Sequence, residues 1–224
     1  ELPAAERARR ERASEGAAGI VGYSADLSGT SVAFALAGRL YVVAAGGPPR
    51  LLETAEGVFD PRMSPDAMHV SFVIGDALHV VAVEKSVPVR LLIDEQVEGV
   101  SWGSAEFVAG EEMGRTRGHW WSPDGDRLVV ARVDVTPVAT WHIADPAQPW
   151  REPMRIRYPA AGAANADVGL SLVALAGGHR TAIDWDRDAL PYLVDVTWNA
   201  GEPLTLVASS RDQLTMAVLT VDPE

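Results

Sequence analysis

Residues 121–131 read Trp-Ser-Pro-Asp-Gly-Asp-Arg-Leu-Val-Val-Ala, a tight polar turn that runs into a short apolar strand. Pro at the second turn position favours a β-turn because it presets φ, and Gly after Asp tolerates a positive φ. Residues 63–73, Met-Ser-Pro-Asp-Ala-Met-His-Val-Ser-Phe-Val, repeat the arrangement. Weaker copies begin at Tyr23 and Trp198. The pattern therefore indicates a chain built from a repeated unit of turn and strand.

The spacing of these units indicates their size. The equivalent polar positions are Ser24, Ser64, Ser122 and Asn199, which are separated by 40, 58 and 77 residues. A period of about 40 residues with four strands per unit is typical of a β-propeller blade. The second spacing is one period plus an insertion, and the third is about two periods, with a weaker blade at 167–183. We therefore predict an all-β fold, a partial β-propeller of four-stranded antiparallel blades with about five blade starts.

The first residues differ in character from the rest of the chain. Residues 1–18 are charged and Ala-rich, which predicts a short N-terminal helix, and residues 19–224 form the predicted partial propeller. The start lacks the apolar segment of a signal peptide, and no apolar run approaches the length of a membrane helix. We therefore expect a cytoplasmic protein. The chain does not begin with Met, so we expect further residues upstream.

Composition and charge limit the partners of the protein. With 224 residues, 47% of them hydrophobic, the chain can bury a full core. A net charge of −12 argues against nucleic acid and anionic membranes as partners, because both require a basic surface. There is no cysteine, and the five histidines are scattered without ligand spacing, so we expect neither a metal nor another cofactor. One lysine against eighteen arginines indicates a high-GC bacterial genome.

The insertion in the third unit carries an unusual pair of carboxylates, Glu111 and Glu112. Adjacent residues on a strand point to opposite faces of the sheet. The two side chains can therefore converge only if the chain leaves the strand there, in a short helix or loop. Gly114 and Gly118 permit such a departure. Two convergent carboxylates form a good receptor for a primary ammonium group, whose three N–H donors they can share.

The residues around this pair resemble the propeller domain of the dipeptidyl peptidase IV family of serine exopeptidases. The similarity covers roughly residues 106–170 and 190–222. It is carried by Trp120-Trp121-Ser122-Pro123, Ala131-Arg132-Val133-Asp134, Trp141-His142-Ile143-Ala144-Asp145-Pro146, Arg157-Tyr158-Pro159-Ala160-Ala161-Gly162 and Tyr192-Leu193-Val194-Asp195-Val196-Thr197-Trp198. In that family a Glu-Glu pair grips the N-terminal amine of the substrate. The resemblance implies this role for Glu111 and Glu112, although Gly110 stands where family members often carry a third acidic residue.

The resemblance also implies what accompanies this domain. The family's propeller has eight blades and is followed by an α/β-hydrolase domain that carries a Ser-Asp-His triad. The present chain contains no Gly-x-Ser-x-Gly nucleophile elbow, so we expect the hydrolase domain to be absent from it and the chain alone to be inactive. The implied partners are a peptide with a free N-terminus and the hydrolase domain of the same protein. The resemblance implies that N-terminal dipeptides are released from the peptide. An arc of blades also leaves apolar end faces, which predicts homo-oligomers.

Two residue assignments depend on where the side chains point. Arg115 and Arg117 flank the glutamates, and they either orient the carboxylates through bidentate bonds or act as solvent-facing counter-charges. Trp120 and Trp121 alternate on a strand, so we expect each to pack against a different neighbouring sheet. We expect core positions for Trp141, Trp185 and Trp198 as well.

A second function is compatible with the same sequence. A propeller without a catalytic partner can serve as a scaffold whose loops bind other proteins, with the glutamate pair as a relic or a docking patch. The coding sequence downstream distinguishes the two functions. A nucleophile elbow followed by Asp and His indicates the peptidase, whereas a stop codon after a few more blades indicates the scaffold.

Overall fold

The computed structural model describes residues 7, 19–84, 90–93, 95–176 and 178–223. The predicted N-terminal helix at 1–18 lies, apart from residue 7, outside the described residues. No helix in the described ranges is both long enough and apolar enough to cross a membrane. The elements are β1 (Ser24–Ala25), β2 (Ser31–Leu36), β3 (Arg39–Ala44), β4 (Arg50–Leu51), β5 (Phe59–Met63), β6 (His69–Ile74), β7 (Ala77–Ala82), β8 (Arg90–Ile93), β9 (Val100–Trp102), α1 (Phe107–Glu112), β10 (His119–Trp121), β11 (Arg127–Asp134), β12 (Thr140–Ile143), β13 (Met154–Arg157), β14 (Asp167–Ala174), β15 (Arg180–Ile183), β16 (Tyr192–Thr197), β17 (Leu204–Ser209) and β18 (Met216–Val221).

The strands form successive antiparallel sheets, which confirms the all-β prediction. The first sheet has the order β1-β2-β3-β4 and the second the order β5-β6-β7-β8. The third has the order β10-β11-β14-β15, with β9 also paired to β11, and the fourth has the order β16-β17-β18. A separate two-stranded hairpin contains β12 and β13. Every pairing is antiparallel, as expected for blades joined by short turns.

The predicted weak blade at 167–183 is not a separate unit. Strand β14 pairs with the full length of β11, from Arg127 opposite Ala174 to Asp134 opposite Asp167, and β15 pairs with β14. These two strands complete the third sheet. The long spacing before Asn199 is therefore one sheet plus the β12–β13 hairpin, and the described chain forms four such sheets instead of the predicted five starts.

Consecutive sheets stack against each other through three apolar cores. The first two sheets enclose one core, the second and third sheets enclose the next, and the third and fourth enclose the last. Strand β11 shows the reason, because Leu128 and Val130 point into one core and Val129 points into the other. Trp120 and Trp121 follow the same alternation and are both buried, so their predicted packing between different sheets is confirmed.

Of the other three tryptophans predicted in the core, two pack there and one is exposed. Trp185 and Trp198 pack against the core between the third and fourth sheets, as expected. The prediction for Trp141 is wrong, because its side chain is 47% exposed. Its hairpin contributes no residue to the three cores. In that hairpin Trp141 lies opposite Ile156, and Ile143 lies opposite Met154, so one face is apolar and largely exposed.

We expect the purified chain to associate as its concentration rises. Met216 and Val218 lie on the face of β18 that points away from the core, and they are 64% and 69% exposed. Contiguous exposed apolar residues favour association. Light scattering should show a mass that rises with concentration, and Met216→Gln combined with Val218→Thr should weaken that rise. Leu214→Gln is the matched control, since Leu214 is exposed in the preceding turn. A constant monomer mass would contradict the expectation.

Candidate functional site

Glu111 and Glu112 occupy the last turn of α1, a helix that lies between β9 and β10 and so interrupts one edge of the third sheet. The predicted departure from the strand is thus present as a short helix. Neighbouring residues on a helix project about 100° apart, instead of to opposite faces as on a strand. Both side chains are exposed to solvent. The helix therefore allows two adjacent carboxylates to approach one cation.

Side-chain and backbone bonds fix both ends of this short helix. At the start, the Glu106 carboxylate accepts a hydrogen bond of 2.8 Å from the backbone N–H of Ala109. At the end, the N–H groups of Met113 and Arg115 donate to the Ala109 carbonyl at 3.2 and 2.9 Å. Gly114 follows with φ +67°, a conformation that glycine adopts without strain and that commonly ends a helix. Six residues would not hold a helix alone, so these contacts determine where the glutamates lie.

The charges at the end of α1 are unfavourable for the free protein. The C-terminal end of a helix carries partial negative charge, and carboxylates placed there are destabilising by about 0.3–1 kcal/mol each. Glu111 and Glu112 both lie in that turn, which contains no basic residue. A cation bound between them would relieve both the mutual repulsion and the interaction with the helix end. The arrangement is therefore chemically suited to an ammonium ligand.

The two ends of the insertion are held by hydrogen bonds to one residue of β11. The N–H of Gly103 donates to the Ala131 carbonyl at 2.9 Å, and the N–H of Ala131 donates to the Gly118 carbonyl at 2.7 Å. Strands β9 and β10 thereby lie along β11 as two halves of one strand. Gly118 is also in close contact with Ser104, because a Cβ atom built on Gly118 would lie 2.5 Å from the Ser104 nitrogen. Only glycine therefore fits at position 118, where the two ends of the insertion meet.

His119 adds a buried contact to one end of the insertion. Its ring is fully buried, and Nδ1 lies 2.9 Å from the Gly103 carbonyl, which makes Nδ1 the protonated nitrogen. Burial lowers the pKa of His119, with Asp60 and the Gly103 carbonyl opposing and Arg62 and Arg117 adding to the effect. The imidazole is therefore neutral in the folded protein. The sequence alone assigned His119 no role, because only its buried partner identifies one.

We expect His119 to make stability depend on pH below neutrality. Its pKa is lowered in the folded state, while the unfolded chain takes up a proton near pH 6.5. Stability is therefore fully present above about pH 6.5 and decreases at lower pH, by up to about 1.4 kcal/mol per pH unit. Urea unfolding between pH 7.5 and pH 5 should show this loss, and His119→Gln should reduce the slope. His142→Gln changes an exposed histidine and should leave the slope unchanged.

Arg115 is neither a bidentate partner of the glutamates nor a solvent-facing counter-charge. Its side chain is buried, and Nε donates to the Leu193 carbonyl on β16 at 3.1 Å. Nη1 donates to the Arg117 carbonyl at 2.9 Å, and Nη2 lies 3.6 Å from the Glu106 carboxylate. Burial lowers the pKa of Arg115, and Glu106 and then Asp195 oppose the shift. Arg115 thus joins the start of α1 to the fourth sheet. Its partner on β16 is distant in the sequence, so the sequence alone did not predict this role.

Arg117 also differs from both sequence-based alternatives. Its guanidinium lies 5.5 Å from the centre of the Trp120 ring, in a cation–π arrangement, and its side chain is half-buried. Burial is the main cause that lowers its pKa, and the nearby Arg62 adds to it. The guanidinium therefore faces inward, beside the second sheet, and does not orient the glutamates.

An aromatic contact joins α1 to the β12–β13 hairpin. The rings of Phe107 and Tyr158 meet edge to face with centroids 5.3 Å apart, and Tyr158 meets Trp141 in the same way at 5.3 Å. Such pairs add about 0.5–1.5 kcal/mol beyond the area they bury. The first helical residue is therefore held by the segment that follows the hairpin. The Arg-Tyr-Pro segment stood out in the sequence only for its family resemblance, and no periodicity signalled this contact.

Comparisons with known proteins give a consistent result. Residues 38–224 match the family model described as the dipeptidyl peptidase IV (DPP IV) N-terminal region. The chain is 24% identical over 255 aligned positions to dipeptidyl peptidase 8 of Mus musculus, covering 96% of this chain and 29% of that protein. It is 30% identical over 131 positions to a probable dipeptidyl peptidase 4 of Aspergillus fumigatus, covering 54% and 17%. The chain thus spans less than a third of the length of these relatives.

Solved structures share the same fold. The crystal structure of Porphyromonas gingivalis dipeptidyl peptidase 4 superposes with a TM-score of 0.76 and 22% identity, covering 91% of this chain and 31% of that one. A putative dipeptidyl aminopeptidase IV from Bacteroides ovatus superposes with a TM-score of 0.66 and 22% identity, covering 84% and 26%. At these identities the similarity establishes the architecture of stacked antiparallel sheets.

Proposed function

Because the chain belongs to the dipeptidyl peptidase IV N-terminal region family, we propose that it is the substrate-recognition domain of a serine exopeptidase that releases N-terminal dipeptides. Glu111 and Glu112 clamp the N-terminal ammonium of the peptide in this proposal. The observation that carries it is the position of the pair on α1, where two adjacent exposed carboxylates leave the sheet together. The surrounding propeller admits extended peptides and excludes large folded chains.

A charged clamp would determine which peptide bond is cut. Holding the ammonium at a fixed distance from a nucleophile makes the reaction effectively unimolecular and places one bond at the reacting position. The three N–H donors of the ammonium can be divided between the two carboxylates. An acetylated N-terminus offers neither the charge nor these donors. The clamp therefore selects free N-termini and fixes the length of the product.

The contacts around α1 support a site that is held in place before substrate arrives. Glu106 caps the helix, Arg115 ties it to β16, and Phe107 packs on Tyr158. A clamp that is already ordered loses less conformational entropy when it binds. A bound cation would also offset the unfavourable charge at the helix end. Together these features favour tight binding of an ammonium group.

The direct test uses the full-length protein and short peptides analysed by mass spectrometry. Peptides with a free N-terminus and Pro or Ala at the second position should lose a dipeptide, and their N-acetylated forms should remain intact. The 224-residue chain alone should cleave neither, since it carries no nucleophile elbow. Release of single amino acids, or equal cleavage of acetylated peptides, would overturn the proposal.

The exposed face of the β12–β13 hairpin favours a second candidate, a protein-interaction scaffold. Ile143, Met154 and Trp141 are all exposed on one face of this two-stranded ribbon. Exposed apolar patches of this kind mark contact surfaces. A full-length protein that lacks peptidase activity but associates through this hairpin would favour the scaffold. Replacing Ile143 and Met154 with Thr and Gln should then abolish the association with little change in the melting temperature, because both side chains are exposed and neither is in the ring contact with Tyr158.

A further inference from the structure

A cavity of about 420 Å³ opens along one edge of the sheets, and neither Glu111 nor Glu112 lines it. Residues of β1, β5, β10 and the end of β16, the first strand of each sheet, all contribute to it. Its volume is within the range typical of pockets for small ligands. Its charged lining residues are Arg62, Arg117 and Asp26, and the Asp26 carboxylate accepts hydrogen bonds from the backbone N–H groups of Ser28 and Ser31. Trp120, Trp198 and Asn199 also line it.

The Arg117 guanidinium lacks an acceptor in the described part of the chain. It packs there on the face of Trp120, and no carboxylate of the described residues lies within ion-pair distance. A guanidinium carries five N–H donors, and a half-buried one without acceptors is costly. The aromatic face stabilises the charge but accepts no in-plane hydrogen bond. A ligand oxygen that enters the cavity could therefore accept hydrogen bonds from Arg117.

The neighbouring charges determine what kind of acceptor fits. Arg62 lies close enough to add to the lowering of the pKa of Arg117, but it is itself paired with Asp60 at 2.5 Å. That pairing leaves Arg117 as the cation without a direct partner. Asp195 and then Asp60 oppose the lowering of the pKa of Arg117, although no ion pair joins either of them to Arg117. The planar fork of a guanidinium also matches the two oxygens of a carboxylate.

We propose that this cavity binds a carboxylate group of a peptide, with the Arg117 guanidinium as its main partner. Trp198, which is partly exposed, supplies an apolar wall for the residues that precede the carboxylate. Asn199, whose Nδ2 donates to Glu202, offers its Oδ1 to a backbone N–H of the peptide. Both a C-terminal carboxylate and an acidic side chain present this chemistry. The proposal is independent of the role of Glu111 and Glu112, because those residues do not line the cavity.

Isothermal titration calorimetry of the chain with three tripeptides tests the assignment. The probes are acetyl-Ala-Pro-Ala with a free C-terminal carboxylate, its C-terminal amide, and acetyl-Ala-Pro-Glu amide, which carries only a side-chain carboxylate. Acetylation removes the ammonium and so eliminates binding through the glutamate clamp. We expect at least one carboxylate peptide to bind at least about tenfold more tightly than the neutral amide. The better of the two identifies the source of the carboxylate.

Two arginine substitutions test whether Arg117 is the partner of the carboxylate. Arg117→Gln should weaken carboxylate binding by about tenfold or more, while Arg39→Gln, the removal of an exposed arginine on β3, should leave it unchanged. The comparison of peptides on the wild-type chain needs no variant, so it remains decisive if Arg117→Gln folds poorly. Equal affinity for the amide, no binding at millimolar peptide, or equal losses in both variants would overturn the proposal.

Discussion

Replacing Glu111 or Glu112 with Gln in the full-length protein is expected to lower kcat/KM on free-amine dipeptidyl substrates by about ten- to a hundredfold each. A hydrogen bond to a charged group contributes about 1.5–3 kcal/mol, and a half-paired ammonium costs more. The double variant should lose less than the sum of the two single losses, because both residues bind one cation. Steady-state rates on an Ala-Pro chromogenic amide measure all three values.

Two controls separate loss of the clamp from loss of the fold. An N-acetylated substrate lacks the ammonium, so it should be equally poor for the wild type and the variants. The melting temperature should stay constant or rise slightly, because each change removes a charge from the negative end of α1 and affects no core. Wild-type efficiency in either single variant on free-amine substrates would remove the main support for the clamp.

Gly118→Ala is expected to destabilise the domain by about 3 kcal/mol, the upper end of the range for overpacking. The new methyl group would meet the backbone of Ser104 and not a mobile side chain, so the two ends of the insertion would have to separate. For a domain of this size the melting temperature should fall by roughly 6–12 °C. Differential scanning calorimetry of the purified variant measures the shift.

Gly22→Ala is the matched control for this substitution. No neighbouring atom lies within 4 Å of the position that a Cβ atom would occupy on Gly22, and its φ is not positive, so alanine should change stability by less than about 0.5 kcal/mol. In the full-length protein, Gly118→Ala should also raise KM for free-amine substrates, because it moves the base of α1. A melting temperature equal to that of Gly22→Ala would show that Ser104 yields easily.

The repeated turns made the sheet architecture predictable, and the exception has a physical cause. The Ser-Pro-Asp turn and the apolar run after it specify a hairpin locally, without information from distant residues. Strand β14 begins no such turn, so its partner is set by packing. Its pairing with β11 across the inserted hairpin buries Val168 and Leu170 against the fourth sheet. The spacing of the repeats therefore led to the wrong prediction of a separate blade at residues 167–183.

The candidate site was predictable in its acidic residues but not in its supporting ones. Adjacent glutamates cannot converge on a strand, so a departure from the strand, in a short helix or loop, followed from elementary geometry. The partner of Arg115 lies 78 residues away on another sheet, and Tyr158 reaches Phe107 only because the hairpin folds back. Contacts between residues so far apart in the sequence cannot be predicted from local sequence patterns. That Glu111 and Glu112 bind a peptide amine stays a prediction for the substitution experiments.

The closure of the insertion on Ala131 has a consequence for protein engineering. Residues 103–118 enter and leave the sheet at two hydrogen bonds to one residue, so the ladder on either side continues without them. The segment can therefore be treated as an exchangeable cassette. Grafting a segment of different length or charge between the two flanking glycines should change the surface presented there while the sheet keeps its geometry. The two glycines, His119 and the buried Arg115, which donates to the Leu193 carbonyl on β16, must be kept in any such exchange.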